Sequence, residues 1–378
     1  MPKIDVLMSV FNCESYIADT LISIKKQTFS DYNLIIVDDG SSDKTGEIVK
    51  QFAINDARIR YCRQDNAGIV AALNYGLKYC SAPFIARHDG DDISYPERFE
   101  KQLAYLKANP DCVAVSSVAR HIDENDIPTG FITKVKDMAL VNCWSLPAIE
   151  PYIMQPFMMI RKSAFLDVGG YRNLAVAEDA DLMWRLNSIG LMHILPEPLG
   201  DYRVHADSIS SQSIIKGRCL AIWSQLAAIS EQRRATKRPD IDFSTSLLCR
   251  INSSVSLNQM VEAAKKHLTE AELIWLRSAV SAKLLALCYY RPYEADLSDI
   301  RFILDAKVKD LIIKERPGYA AFQEAIMSAA LRMVAAGRIK TALYLLPSSQ
   351  WIILLGRIIF RVCFPPAIKD KIKNLLKR

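Results

Sequence analysis

The stretch 34-LIIVDDGSSDKT-45 runs an apolar segment straight into two acids, a glycine turn and the opening of a helix. The short apolar run reads as a strand, and Asp39-Gly40-Ser41 as the turn that ends it. Asp38 and Asp39 then stand at the carboxyl end of that strand, where open parallel sheets bind ligands. A plain Asp-Gly turn, with Ser42 or Asp43 capping the next helix, accounts for the same residues. The neighbouring sequence has to decide between the two.

Outward from this stretch the elements alternate. Ile4–Val10 reads as a strand and Glu14–Gln27 as an amphipathic helix. Asn33–Val37 is a strand and Lys44–Phe52 a helix. Arg58–Cys62 is a short strand, Ala67–Tyr79 a helix and Pro83–Ala86 another strand. This β-α-β-α order predicts a mostly parallel sheet with helices on both faces. Pro96–Ala108 reads as a helix with proline in its first turn, where the missing N–H costs nothing. The less regular region Val113–Ile160 is expected to hold antiparallel strands, and a helix over Ala180–Ser188 is followed by short strands out to Val204. Beyond Ser213 glycine becomes rare and helical periodicity persists. The expected organisation is an α/β domain over residues 1–213, an all-α domain over 214–350 and a basic amphipathic tail over 351–378. The polar stretch Asp207–Ser213 is the expected seam.

A chain of 378 residues is long enough for two domains. Its net charge of +6 is placed in one segment: Trp351–Arg378 holds seven Lys/Arg against one acid, Asp370. That argues against a nucleic-acid-binding core and for one basic segment beside an anionic neighbour. The nine cysteines are odd in number and none stands in C-x-x-C spacing, which fits the reduced thiols of a cytoplasmic protein. MPKIDVLMSV opens on an apolar strand, unlike a secretory signal. No window reaches the roughly 18 consecutive apolar residues of a spanning helix.

Three further stretches carry chemistry. In 86-ARHDGDDISYPER-98, Asp89, Asp91 and Asp92 follow directly on an apolar strand. The chain has no G-x-G and no G-x-x-x-x-G-K-[ST], so the charge of a phosphate ligand must be met some other way. A divalent cation on carboxylates does this, since Mg²⁺ takes one or two carboxylates and fills its shell with phosphate oxygens. The EF-hand pattern is missing; a solvated acidic turn accounts for the stretch taken alone. In 177-AEDADLMWRL-186, Glu178, Asp179 and Asp181 open a helix, as its dipole favours, and a carboxylate there also suits a general base. In 202-YRVHADSIS-210, Arg203 and His205 would face a diphosphate or metal if this strand returns to the same cleft.

In this order the stretches resemble family 2 of the nucleotide-sugar glycosyltransferases, which have the GT-A fold. The matching segments are 6-VLMSVFNCESYI-17, 27-QTFSDYNLIIVDDGSSDKT-45, 66-NAGIVAALNYGL-77, 85-IARHDGDDISYPERFEKQ-102, 168-VGGYR-172, 178-EDADLMWRL-186 and 202-YRVHADSIS-210, so the resemblance covers about residues 3–212. It implies that Asp39 hydrogen-bonds the nucleotide base, with Phe11, Asn12 and Glu14 in the same pocket. It also implies that Asp38, Asn66, Gly68, Asp89 and Arg203 belong to the nucleotide-sugar site. Asp91 and Asp92, with His205, are the implied ligands of Mn²⁺ or Mg²⁺, Asp179 is the implied catalytic base and Glu178 its neighbour. The sequence departs from the usual pattern at His88, often apolar or Met, and at Gln155, where a His is common.

The implied reaction moves a sugar from a nucleotide-diphosphate donor, a UDP-sugar, to a glycan or lipid-linked acceptor, with inversion, in surface polysaccharide synthesis. A sugar-phosphate nucleotidyltransferase also uses carboxylates and Mg²⁺, but usually has a Gly-rich loop where this chain has 9-SVFNCES-15. A non-catalytic glycan- or nucleotide-binding scaffold would not need a base. In the tail, 351-WIILLGRIIFRVCF-364 places Arg357 and Arg361 four apart among apolar residues, and Pro365-Pro366 ends it. A helix packed on the protein fits this. So does an interfacial helix on anionic lipid, which would hold the protein at the inner face of the membrane.

Overall fold

The computed structural model describes residues 2–174, 176–205 and 213–363, side chains of 361–363 excepted. The chain divides into two compact units. One comprises residues 1–143, 149–212 and 226–253, the other 144–148, 213–225 and 254–378. The expected seam at Asp207–Ser213, its last residue excepted, and the tail after Cys363 lie outside the described residues.

The first unit is built on a single sheet of nine strands among the described residues. These are β1 (Ile4–Val10), β2 (Tyr32–Asp38), β3 (Ile59–Arg63), β4 (Phe84–Asp89), β5 (Ile93–Ser94), β6 (Cys112–Ile122), β7 (Pro128–Ile132), β8 (Met159–Arg161) and β9 (Leu191–Arg203). Their order is β3-β2-β1-β4-β8-β6-β9-β5, with β7 on β6. The first four strands pair in parallel, as expected for strands joined by α1 (Ile17–Lys25), α2 (Thr45–Ile54) and α3 (Ile69–Leu77). Side chains alternate across this half. Val6, Met8, Leu34, Ile36 and Ala86 pack with Leu21, Val49 and Phe99 on one face, while Leu7, Ile35 and Ile85 pack with Val70 and Leu73 on the other. Burial on both faces is why these strands read as continuous apolar runs. Gly76 of α3 allows close approach, since a Cβ there would lie 2.6 Å from Leu7 Cδ1 and 2.9 Å from Val37 Cγ2.

Beyond β4 the sheet is mixed. β8 runs antiparallel to β4 and β6, β9 parallel to β6, and β5 antiparallel to β9. β4 extends past Ala86 to Asp89 because Arg87 and His88 stay paired with Leu7 and Met8 of β1. The expected short strands before Val204 are the single strand β9. Its Pro196 and Pro198 are absorbed where the register slips from Ser117–Leu195 to Val118–Pro198. The helix expected from Pro96 is α4 (Arg98–Ala108), and Pro96 precedes it. The short α5 (Lys162–Asp167) and α6 (Glu178–Asn187) pack on the same face as α3.

The remaining helices are α7 (Ile214–Ala235), α8 (Thr245–Asn252), α9 (Leu257–Ala264), α10 (Glu270–Tyr290), α11 (Leu297–Lys309), α12 (Tyr319–Ala335), α13 (Ile339–Leu345) and α14 (Trp351–Cys363). Reciprocal capping boxes start α9, α10 and α11, at Ser256/Gln259, Thr269/Glu272 and Asp296/Asp299. The buried Arg218 joins α7 to the start of α11, its Nε 2.8 Å from Asp299 Oδ1.

Candidate active site

Register brings the candidate residues together. Val10 lies opposite Asp38 and Ser9 opposite Asp89, so the loops after β1, β2 and β4 leave the sheet at one level. Two of these loops are zipped to each other. Asn12 takes a left-handed φ of 47°, which Asn tolerates better than most residues. Its N–H donates to Ser41 Oγ (3.0 Å) and its Oδ1 accepts from the Ser42 N–H (2.8 Å). The Glu14 N–H donates to Asp43 Oδ2 (3.0 Å) and Glu14 Oε2 accepts from the Lys44 N–H (2.8 Å). Asn12 and Glu14 therefore spend these groups on building the wall, whereas the Phe11 ring is exposed.

Asp38 and Asp39 diverge. Asp38 is fully buried; Oδ1 accepts from the Ser41 N–H (2.8 Å), and Oδ2 from Tyr61 Oη (2.7 Å) and Arg63 Nη1 (3.0 Å). Burial opposes its ionisation, but these donors outweigh it and hold the carboxyl below the usual range. Asp38 thus shapes the turn, a correction to its reading as a donor contact. Asp39 Oδ1 accepts from Gln64 Nε2 (2.8 Å) and the Ala67 N–H (2.9 Å), and Oδ2 from the Gly68 N–H (2.8 Å). It thereby holds the exposed Asn66–Gly68 segment at the start of α3. Gly40, with φ of 80°, makes room: a Cβ there would lie 2.8 Å from the Asn66 nitrogen.

The acid cluster lies between β4 and β5. Carboxylate oxygens of Asp89, Asp91 and Asp92 come within 4.8 Å of one another. Because β5 pairs with β9, Asp92 meets the end of β9, and its Oδ1 accepts from the Arg203 N–H at 2.9 Å. Asp92 Oδ2 is buried without a hydrogen-bond partner. Burial, then the charges of Asp91 and Asp89, push this carboxyl well above its ordinary range. Burial also raises Asp89, against the pull of Arg87, whose Nη2 donates to it at 2.5 Å. His205 Nε2 lies 3.0 Å from Asp91 Oδ2. An orphaned buried oxygen among hard oxygen ligands is what a divalent cation such as Mg²⁺ or Mn²⁺ would satisfy, so the residues present fit one.

Arg203 is not offered to the cleft. Its buried guanidinium donates from Nε to the Asp91 carbonyl (2.8 Å) and from Nη2 to Asp126 Oδ1 (2.7 Å), and it lies over the Tyr16 ring. It fastens β9 to the acid loop, which corrects its reading as a donor contact; a buried guanidinium needs such partners.

Glu178 and Asp179 open α6 behind Ala177, whose left-handed φ of 66° is unusual for alanine. Burial, then Asp179, pushes the Glu178 carboxyl up to about 8. Asp179 Oδ1 accepts from the Ala180 N–H. The same helix carries the buried Asp181–Arg185 pair, and Arg185 Nη1 donates to the Val168 and Gly170 carbonyls (2.5 and 2.7 Å). This places 168-VGGYR-172. Tyr171 Oη accepts from Gln155 Nε2 at 3.1 Å, so Gln155 supports the site from behind.

Sequence reading missed Arg87. It alternates with Ala86 and His88 along β4, shares a face with Asp89, and its charge reaches Glu178 and Tyr171. A lone arginine two positions before an acid in an apolar strand was the signal. His88 lies on the opposite face, bonded at Nε2 to Ser94 Oγ (2.8 Å) and kept neutral by burial.

Residues 5–169 match the family model "Glycosyl transferase family 2". EpsE of Bacillus subtilis (strain 168) is 34% identical over 221 residues, 55% of this chain and 74% of that protein. The O-antigen biosynthesis glycosyltransferase WbnJ of Escherichia coli is 30% identical over 226 residues, 58% of this chain and 86% of that protein. Among solved structures, the mannosyltransferase PcManGT from Pyrobaculum calidifontis, in complex with GDP-Man and Mn²⁺, aligns with a TM-score of 0.50 at 16% identity, covering 96% of this chain and 88% of that one. S. aureus TarS 1-349 in complex with UDP-GlcNAc aligns with a TM-score of 0.51 at 16% identity, covering 83% and 92%. At such identities the two structures speak to the fold.

Proposed function

The chain belongs to glycosyl transferase family 2, an enzyme family of GT-A fold, and from that premise we propose an inverting, metal-dependent sugar transfer in surface polysaccharide synthesis. The donor is a nucleotide-diphosphate sugar, with UDP as the nucleotide, and the acceptor is a hydroxyl of a glycan or lipid-linked saccharide. The observation that carries this reading is the buried Asp92 Oδ2, without a partner inside a cluster of three carboxylates. A divalent cation held by Asp91 and Asp92, with His205 beside them, would supply neutralisation of the charge left on the diphosphate.

The chain's own groups do the rest. Asp39 exchanges bonds now made to the Ala67 and Gly68 amides for bonds to the base, and the exposed Phe11 ring packs against that base. Asn66 and Gly68 border the same pocket, and Asp89 takes the ribose. Asp179 accepts the acceptor hydroxyl's proton as that oxygen attacks the anomeric carbon. Glu178, pushed up to about 8 by burial and by Asp179, keeps a proton near neutrality. The enzyme works at the cytoplasmic face of a membrane, in contact with it through its C-terminal segment.

Thermal unfolding with UDP-GlcNAc, UDP-glucose and GDP-mannose, each with and without Mn²⁺, tests this. A UDP-sugar should stabilise the protein, and more so with Mn²⁺. Stabilisation by GDP-mannose alone would overturn the UDP assignment, and the same response with and without Mn²⁺ would overturn the metal.

A further inference from the structure

We propose that the exposed face of α14 is a docking surface for an anionic lipid bilayer; this deepens the membrane contact named above and rests on it. One side of α14 is held to the helical unit. Leu354 is buried, and Arg357 donates from Nη1 and Nη2 to the two carboxylate oxygens of Glu324 on α12 (2.5 and 2.9 Å). The other side carries Trp351, Ile352, Leu355 and Ile359, all exposed, with Ile352 at 81%. Steps of three and four residues from Ile352 through Leu355 to Ile359 line them along one face.

Between Trp351 and Phe360 the single charge is Arg357, and it is turned to α12. Of the two readings open for this helix, packing on the protein accounts for Arg357. What remains is an uncharged apolar stripe at the water boundary, of the kind an interfacial helix presents.

The occupant follows from charge. The chain that continues from this helix, 364–378, holds five Lys/Arg and one acid. Basic residues adjoining an apolar face match anionic headgroups over hydrocarbon. A second copy of the chain carries the same basic excess over 364–378, so like charge disfavours it as the occupant. Among the described residues no single helix is long and apolar enough to cross a membrane, and the pair of helices over Ile339–Leu345 and Ser348–Phe360 is bent by 112°. That geometry suits a helix lying in the surface.

Co-sedimentation of the full chain with phosphatidylcholine vesicles, with and without phosphatidylglycerol, tests the proposal. The wild type should bind the anionic vesicles at least about tenfold better than the neutral ones. The double variant Ile352→Asp/Ile359→Asp should lose at least about tenfold of that binding. Both side chains are exposed, and circular dichroism on the variant is the check that the fold survives. Wild-type binding no better than to neutral vesicles, or equal binding by the double variant, overturns the proposal. So does self-association in sedimentation velocity that the double variant abolishes while vesicles never bind. Donor-induced thermal stabilisation on the same samples separates the two readings. Wild-type protein that shows the donor response without preferring anionic vesicles sinks the docking surface alone; wild-type protein that prefers anionic vesicles without a donor response sinks the transfer reading alone.

Discussion

Replacing Asp92 by Asn removes one charge from the acid cluster and little else. The Asn Oδ1 still accepts from the Arg203 N–H, now 2.9 Å from Asp92 Oδ1, and its amide group fills the place of the orphaned Oδ2. At the 4.8 Å that bounds the cluster's ligand oxygens, two ionised carboxylates repel by about 3.5 kcal/mol at an effective dielectric of about 20. The metal-free protein escapes part of this by keeping a proton on the cluster, in line with the raised carboxyls of Asp92 and Asp89. That relief weakens as pH rises. Without metal, Asp92→Asn should therefore be more stable than wild type at pH about 8, by about 1–3 kcal/mol, with a smaller gap at pH about 5. Metal should reverse the ranking. At about 100 times its dissociation constant, Mn²⁺ should stabilise the wild type by about 2.7 kcal/mol, and the variant by much less. Urea unfolding in EDTA and in Mn²⁺, followed by tryptophan fluorescence, measures both. An equal Mn²⁺ response in the two proteins, or a variant less stable than wild type at every pH without metal, would refute the reasoning.

Three further outcomes are expected. Asp179→Asn should lower transfer by about 10²–10⁴-fold while donor affinity, read by calorimetry, stays within about twofold; normal turnover would remove Asp179 from the base role. Glu178 has its folded-state carboxyl pushed up to about 8 from an ordinary 4.5. The stability contribution of its protonated form is complete below pH about 4.5 and is lost as pH rises through about 8. Glu178→Gln should therefore fall less in stability than wild type between pH about 6 and 9 in EDTA unfolding, and parallel curves would count against the buried proton. Gly76→Ala should cost about 1–3 kcal/mol in denaturant unfolding, because its Cβ would meet Leu7 Cδ1 at 2.6 Å and Val37 Cγ2 at 2.9 Å.

The alternation of β1 to β4 with α1 to α3 was legible because each element declares itself within a few residues, through an apolar run, a turn or a helical period. The acid stretches were legible for the same reason, since three carboxylates in four residues stand out in any reading. β9 was not, because two prolines broke its local signal while pairing with β6 kept it whole. Arg203 looked like a ligand residue and Arg87 drew no notice, since charge is usually exposed, yet both are buried, Arg203 bonded to Asp91 and Asp126 and Arg87 to Asp89.

The sequence by itself determined the α/β class of the first unit, the helical class of the second, and the stretches proposed here for the site. Tertiary structure decided the role of each residue within those stretches. Asp38 and Asp39 are adjacent, but one is locked by Tyr61 and Arg63 while the other holds the loop before α3. Asp92 is set by an amide 111 residues away, and Arg357 is turned from its apolar neighbours by Glu324, 33 residues away. Propensity and periodicity act over a few residues, whereas a polar group's partners depend on which distant segments the fold brings to it.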